Sequence, residues 1–143
     1  MEELLELREH IQQGRYASAL DLIGEMEDMS RDDKINRVES FLEILLLHLI
    51  KQQAEARTTR SWDVSIRNAV AQIVRTNRRR KVGGFYLTDE ELNEAVSESY
   101  PSALRRASLE AFGGVYSPED LAAMVDESAV AEEALGLILE AQA

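Results

Sequence analysis

Few residues in this sequence are of types and spacing that could do chemistry, and the sharpest set is Glu25, Glu27, Asp28 and His48. Glu25 and Asp28 are three apart, which places both carboxylates on one face of a helix. His48 falls in the most apolar stretch of the chain, between Leu47 and Leu49. Carboxylates from one helix and an imidazole from its neighbour are the ingredients of a metal site in a bundle, or of a general base. A break near Ser30 would make these segments two antiparallel helices, and that arrangement works against the site. His48 would stand about 18 residues past the break, roughly 27 Å along a helix, while the acids stay within a turn or two of it. The simpler reading is a hydrogen-bonded core histidine, with the acids as caps or partners of arginines. His10 is the one other histidine and cysteine is absent, so the expectation is no metal, with Glu25 and Asp28 as weak candidates.

Arg57, Arg60 and Trp62 form a second set. Paired arginines beside an indole can grip a phosphate or stack a base. Alternatively, Trp62 anchors a helix in the core and the arginines reach acids such as Glu25 or Asp28. The run RTNRRRK, Arg75 to Lys81, is followed by Gly83-Gly84. Its cations Arg78, Arg79, Arg80 and Lys81 could touch nucleic acid or an acidic partner. Helical nucleases can pair an arginine with a histidine, which makes His48 with Arg37 or Arg60 the weak catalytic candidates. The chain has no nucleophile elbow, phosphate-binding glycine loop, zinc-helix motif or calcium loop. The sequence therefore weighs against an enzyme without excluding one, and it implies no cofactor.

The elements that must position these residues are helices. Apolar residues recur at helical spacing in 2–12, 16–29 and 31–54, with Gly14 as a stop and Ser30 as a cap. Phe41 to Ile50 is apolar nearly all round and is expected to be the central helix. The next helix starts at Thr59 or Ser61, presents Trp62, Ile66, Val70 and Ile73, and pairs Asp63 with Arg67. It ends on the basic run, whose cations suit a helix C-terminus. Thr88 and Glu91 form a capping box, with Leu87 and Leu92 as its staple. Tyr100-Pro101 predicts a break or kink. A further helix over 102–112 ends at Gly113-Gly114, and Ser117-Pro118-Glu119-Asp120 starts another. Nothing alternates with period two. The fold class is all-α, one domain over 1–143 and a helical bundle of about six or seven helices.

The chain has 143 residues, no cysteine and a net charge of −11. That length favours a single domain with a real core, and the missing cysteines exclude disulfides and thiolate chemistry. The charge is segregated: net −7 over 1–50, +7 over 51–81 and −11 over 82–143. Such segregation is either a solvated face, an internal ion-pair network or a binding stripe. The N-terminus MEELLELREH reads as neither a signal nor a transit peptide, and no apolar run reaches the length of a membrane span. Cytoplasmic location and no membrane contact are expected.

The stretches EMEDMSRDDK (25–34), ESFLEILLLHLIK (39–51) and RTTRSW (57–62), with ESYPSALRRASLEAF (98–112) and SPEDLAAMVDE (117–127), resemble the "domain of unknown function twenty-nine" family of small helical bacterial proteins. The resemblance covers about 16–127 and implies a helical bundle in a bacterial protein, with no implied activity. Gly24 departs from an acid usual in that family. The 128–143 segment lies beyond it, with Val130, Ala134, Leu135, Ile138 and Leu139 on one side. That stripe is expected to form a homodimer interface. The function expected is a non-catalytic interaction or regulatory protein with a protein partner. The alternative is a nucleic-acid binder or small toxin-like ribonuclease using 57–81.

Overall fold

A computed structural model describes residues 2–143. It is all-helical, with six α-helices and no strand among the described residues. In chain order they are α1 (Glu2–Gln12), α2 (Tyr16–Glu55), α3 (Arg60–Asn77), α4 (Asp89–Glu110), α5 (Pro118–Ala122) and α6 (Glu127–Gln142), with a 3-10 turn at Ala111–Gly114 before α5. The chain divides into two compact units, one up to Lys34 and the other Ile35–Ala143.

In the smaller unit, α1 buries none of its residues and leaves Leu4, Leu5 and Ile11 exposed. Gly14, at φ 74°, supplies the left-handed residue that stops it, and the Arg15 N–H then reaches the His10 carbonyl at 2.8 Å. The expected break at Ser30 does not occur, because Ser30 lies inside α2. Between Glu25 and Ala54 there is neither glycine nor proline. Serine and aspartate in a helix interior cost only a few tenths of a kcal/mol, too little to end it.

The larger unit is built around the broad apolar face of α2 between Val38 and Ile50. Val38, Leu42, Leu45, Leu46, Leu49 and Ile50 share one core cluster with Ile66 and Ile73 of α3, Leu92 and Val96 of α4, and Val130 and Ile138 of α6. Phe41 and Trp62, expected inside, are half-buried. Three start signals read from sequence are present as hydrogen bonds. The Trp62 N–H donates to Thr59 Oγ1 at 3.1 Å. Thr88 and Glu91 form a reciprocal capping box. The Asp120 N–H donates to Ser117 Oγ at 3.1 Å, ahead of Pro118 at the first turn.

Of the two stop signals in this stretch, Pro101 is overridden and Gly113-Gly114 is used. α4 runs through Pro101 without a break. Proline inside a helix costs about 3 kcal/mol, but Val96, Tyr100, Ala103 and Ala107 are all buried around it, and packing four side chains outweighs one lost hydrogen bond. Helix α4 ends at Glu110, followed by Phe112 (φ 52°) and Gly113 (φ 70°) in the left-handed region. A side chain at Gly114 would meet the Leu109 carbonyl oxygen at 2.7 Å, so only glycine fits there.

Part of the C-terminal stripe is covered by the chain's own bundle, while Leu135 and Leu139 stay half-buried. Val130, Ala134 and Ile138 are fully buried, and α6 packs on α3 and α4. The sequence reading gave these residues to a second copy, on the ground that the family-like region ends near Glu127. The core, however, extends past that boundary. Ile138→Ala is expected to destabilise the chain by about 2–5 kcal/mol through the cavity it leaves. An unchanged urea midpoint would show that α6 is not docked.

Tyr100 is buried beside the start of α6. Its phenol is pushed up from the ordinary value of 10 to about 12, first by burial and then by the carboxylates of Glu127 and Asp126. The fold thus favours the neutral phenol. Below pH 10 this contribution to stability is complete; as pH rises from 10 to about 12 the unfolded chain ionises first and the contribution is lost. Stability measured against pH should fall over that window, and Tyr100→Phe should flatten the fall. An identical alkaline limb in the variant would assign it to other groups.

Candidate functional site

The basic segment divides into two parts with opposite fates. At the C-terminus of α2, cations are engaged by the chain itself. Lys51 is 5% exposed; its Nζ lies 3.0 Å from Glu110 Oε1 and 4.6 Å from the centre of the Trp62 ring. Arg57 lies over the same ring at 4.8 Å and pairs with Glu55 at 3.0 Å. The other Glu55 oxygen accepts the Phe112 N–H at 3.3 Å. The indole is therefore engaged by the chain's own cations, an arrangement worth roughly 0.5–2 kcal/mol per contact depending on desolvation. Arg57 meets Glu55, not the acids at 25 or 28. Asp63 does not pair with Arg67; it accepts from Thr58 Oγ1 at 2.8 Å and Gln52 Nε2 at 3.3 Å. Arg60 is exposed at the first position of α3.

At the far end of α3, cations are held outward. The helix stops at Asn77, and Arg78 is extended (φ −77°, ψ 130°). The run Arg78 to Lys81 is thus not the last turn of a helix, as its charge suggested, but one arm of a tight turn. Arg78 and Phe85 form an antiparallel bridge. The Arg79 N–H donates to the Gly84 carbonyl at 2.9 Å, and the Tyr86 N–H to the Asn77 carbonyl at 2.8 Å. Gly83 and Gly84, at φ 78° and 75°, make the reversal that residues with a Cβ disfavour. The Arg78 guanidinium lies 5.7 Å from the centre of the Phe85 ring. Arg78, Arg79, Arg80 and Lys81 are all exposed, and none has an ion-pair partner among the described residues. Val82 stands 75% exposed at the tip.

Asn77 pins this turn to the bundle. It is fully buried; its Oδ1 accepts the Leu87 N–H at 2.9 Å and its Nδ2 donates to Gln142 Oε1 at 2.8 Å. Sequence reasoning missed it, since an asparagine before a basic run reads as a solvated helix end. The signal that could have found it is its position ahead of a glycine-closed loop, where an amide can satisfy loop backbone.

The remaining candidates are not brought together. His48 is half-buried, and its ring Nδ1–H donates to the Ile44 carbonyl of its own helix at 2.8 Å. No hydrogen bond or ion pair joins it to Arg37 or Arg60, both exposed. Glu25 and Asp28 are exposed on the part of α2 in the smaller unit. Among the described residues no group of three or more His, Cys, Asp or Glu could hold a metal ion. Among the described residues no helix is long and apolar enough to cross a membrane.

The family model described as Domain of unknown function DUF29 matches residues 5–127. The match begins within α1, earlier than the resemblance read from the sequence, and ends at the same residue. No curated protein and no solved structure matches the chain.

Asn77→Ala should leave the Leu87 N–H buried without an acceptor, costing about 1–3 kcal/mol. Amide exchange at Tyr86 and Leu87 should quicken while that of the α2 core does not. Unaltered protection at those two amides would mean the turn is held by its glycines alone.

Proposed function

The chain belongs to the DUF29 family, whose description assigns no activity, and we propose that it is a non-catalytic, cytosolic interaction protein that docks an acidic surface of a partner protein on its basic turn. One observation carries this reading: four consecutive cations stand exposed on a turn held in place by a buried asparagine, without acids of the chain to neutralise them. A fixed turn loses little conformational entropy on binding, so its charges are pre-organised. Val82 at the tip and Phe85 beneath Arg78 add apolar contact of the kind found at the centre of an interface.

The second reading, a nucleic-acid binder, rests on the same cations. It is disfavoured because the remainder of the molecule is strongly acidic and repels a polyanion.

A photo-crosslinking residue placed at Val82 in the native cell tests both. The expected result is adducts with a protein through an acidic segment, reduced about tenfold or more by Arg79→Gln, Arg80→Gln and Lys81→Gln together. Adducts with RNA or DNA would transfer the assignment to nucleic acid. Protein adducts unaffected by the triple change would overturn the basic turn as the contact element.

A further inference from the structure

A second surface of opposite sign lies where α2 and α4 come together over the core. Glu39, Ser40 and Glu43 of α2 face Glu98, Ser99 and Ser102 of α4 across an open groove of 390 Å³. That volume lies within the roughly 300–1,000 Å³ typical of small-ligand sites.

The groups in it are unequally satisfied. Glu43 is compensated: Ser102 Oγ donates to its Oε1 at 2.7 Å, and Arg106 Nη1 lies 3.6 Å from the same oxygen. Ser40 Oγ donates to the Asn36 carbonyl at 3.1 Å. Glu39 and Glu98 have no ion pair among the described residues, and Glu39 stands four residues before Glu43 on the same helix face, a repulsive spacing. Ser99 is the independent observation. It is 9% exposed, it lines the groove, and its hydroxyl makes no hydrogen bond among the described residues. Among the described residues no fully enclosed side-chain nitrogen or oxygen lacks a partner, so the Ser99 oxygen keeps some access to solvent, and Ser99 lines the groove.

These groups define the ligand. Two uncompensated carboxylates and a hydroxyl call for a cation that donates several hydrogen bonds. A metal ion would need a donor cluster, and the described residues form none. An ammonium offers three N–H donors around a compact charge, matching one acceptor on each of three side chains. The Arg106 contact to Glu43 already shows this wall of the groove accepting an organic cation. We infer that the groove is a binding site for a primary alkylammonium group, held by Glu39 and Glu98 with Ser99 as third acceptor. Its source is a free polyamine or a lysine side chain. The inference does not rest on the basic turn, which belongs to a different part of the fold.

Calorimetric titration of the full chain at low ionic strength tests it, with spermidine in one arm and Nα-acetyl-lysine methylamide in the other. Spermidine is expected to bind one saturable site. Glu39→Gln with Glu98→Gln should weaken it about tenfold or more, and Ser99→Ala about fivefold. Glu132→Gln with Glu133→Gln, on exposed positions of α6, removes the same charge and should leave binding unchanged. Alanine is the better helix former, so the Ser99→Ala variant keeps the test valid if the double variant unfolds. Binding of the lysine analogue alone, through the same three residues, would assign the ammonium to a protein side chain and uphold the site. Absence of binding in both arms would overturn it. So would equal loss in the Glu132/Glu133 variant, or displacement by magnesium at equal concentration, since either would mark a diffuse counterion effect.

Discussion

Helix α2 between Val38 and Ile50 is apolar over most of its circumference, and a helix of that kind is stable in water only when other elements cover that broad face. Val38, Leu42, Leu45, Leu46, Leu47, Leu49 and Ile50 are all buried, each of the larger ones contributing roughly 1.5–3 kcal/mol by leaving water. The need to cover this segment brings α3, α4 and α6 into one core cluster with it. It also sets what happens at its two ends. Lys51, one residue past Ile50, is carried into the edge of the core and has to be compensated there, by Glu110 and the Trp62 ring. Glu39 and Glu43, at the other end, are brought up against α4, where serines and a further glutamate meet them. The chemistry of both corners follows from the covering of one helix.

The same demand explains which local signals prevailed. The caps at Thr59, Thr88 and Ser117 were legible because each is a contest within four residues, between a side-chain oxygen and an otherwise unpaired N–H. Ser30 and Pro101 carry equally plain local signals, and both were overridden. At Ser30 no breaker accompanies the cap residue, so its N–H keeps a helical partner. At Pro101 the buried side chains on either side keep the helix continuous through a missing hydrogen bond. A cap or a stop is readable when its energy is settled locally. It is not when a few kcal/mol of burial lies on the other side.

The candidate sites were legible in proportion. The basic run was visible as four letters, but whether it ended a helix or formed an exposed turn depended on Asn77, which is fixed by Leu87 and Gln142. Gln142 is 65 residues away in sequence, and periodicity carries no information at that range. The acidic groove was not visible at all. Glu39 and Glu43 belong to no motif, and only the approach of Glu98 and Ser99 turns them into one wall of a cleft. The charge segregation, by contrast, was read correctly as a question. Lys51 and Arg57 are paired with acids of the chain, the first buried and the second at the surface, whereas Arg78 to Lys81 are exposed without an ion-pair partner among the described residues.

That division also sets how an acidic molecule could bind a basic turn. Charges beyond about 8 Å are screened at physiological salt, so a docked partner feels the turn far more than the net charge of −11. The net charge acts earlier, on approach, where it slows any polyanion. The size of the footprint then separates the partners. If all four cations engaged phosphates, the salt slope would be about −3.6, so affinity would fall by roughly 150-fold between 50 and 200 mM salt. Trp62, the side chain that could have stacked a base, is already engaged by Lys51 and Arg57, so a nucleic acid would draw on charge contacts alone. A protein surface presents fewer charges but can also bury Val82 and the edge of Phe85, contacts that salt does not weaken. Four cations around two exposed apolar side chains are therefore better matched to a folded acidic surface than to a phosphate backbone.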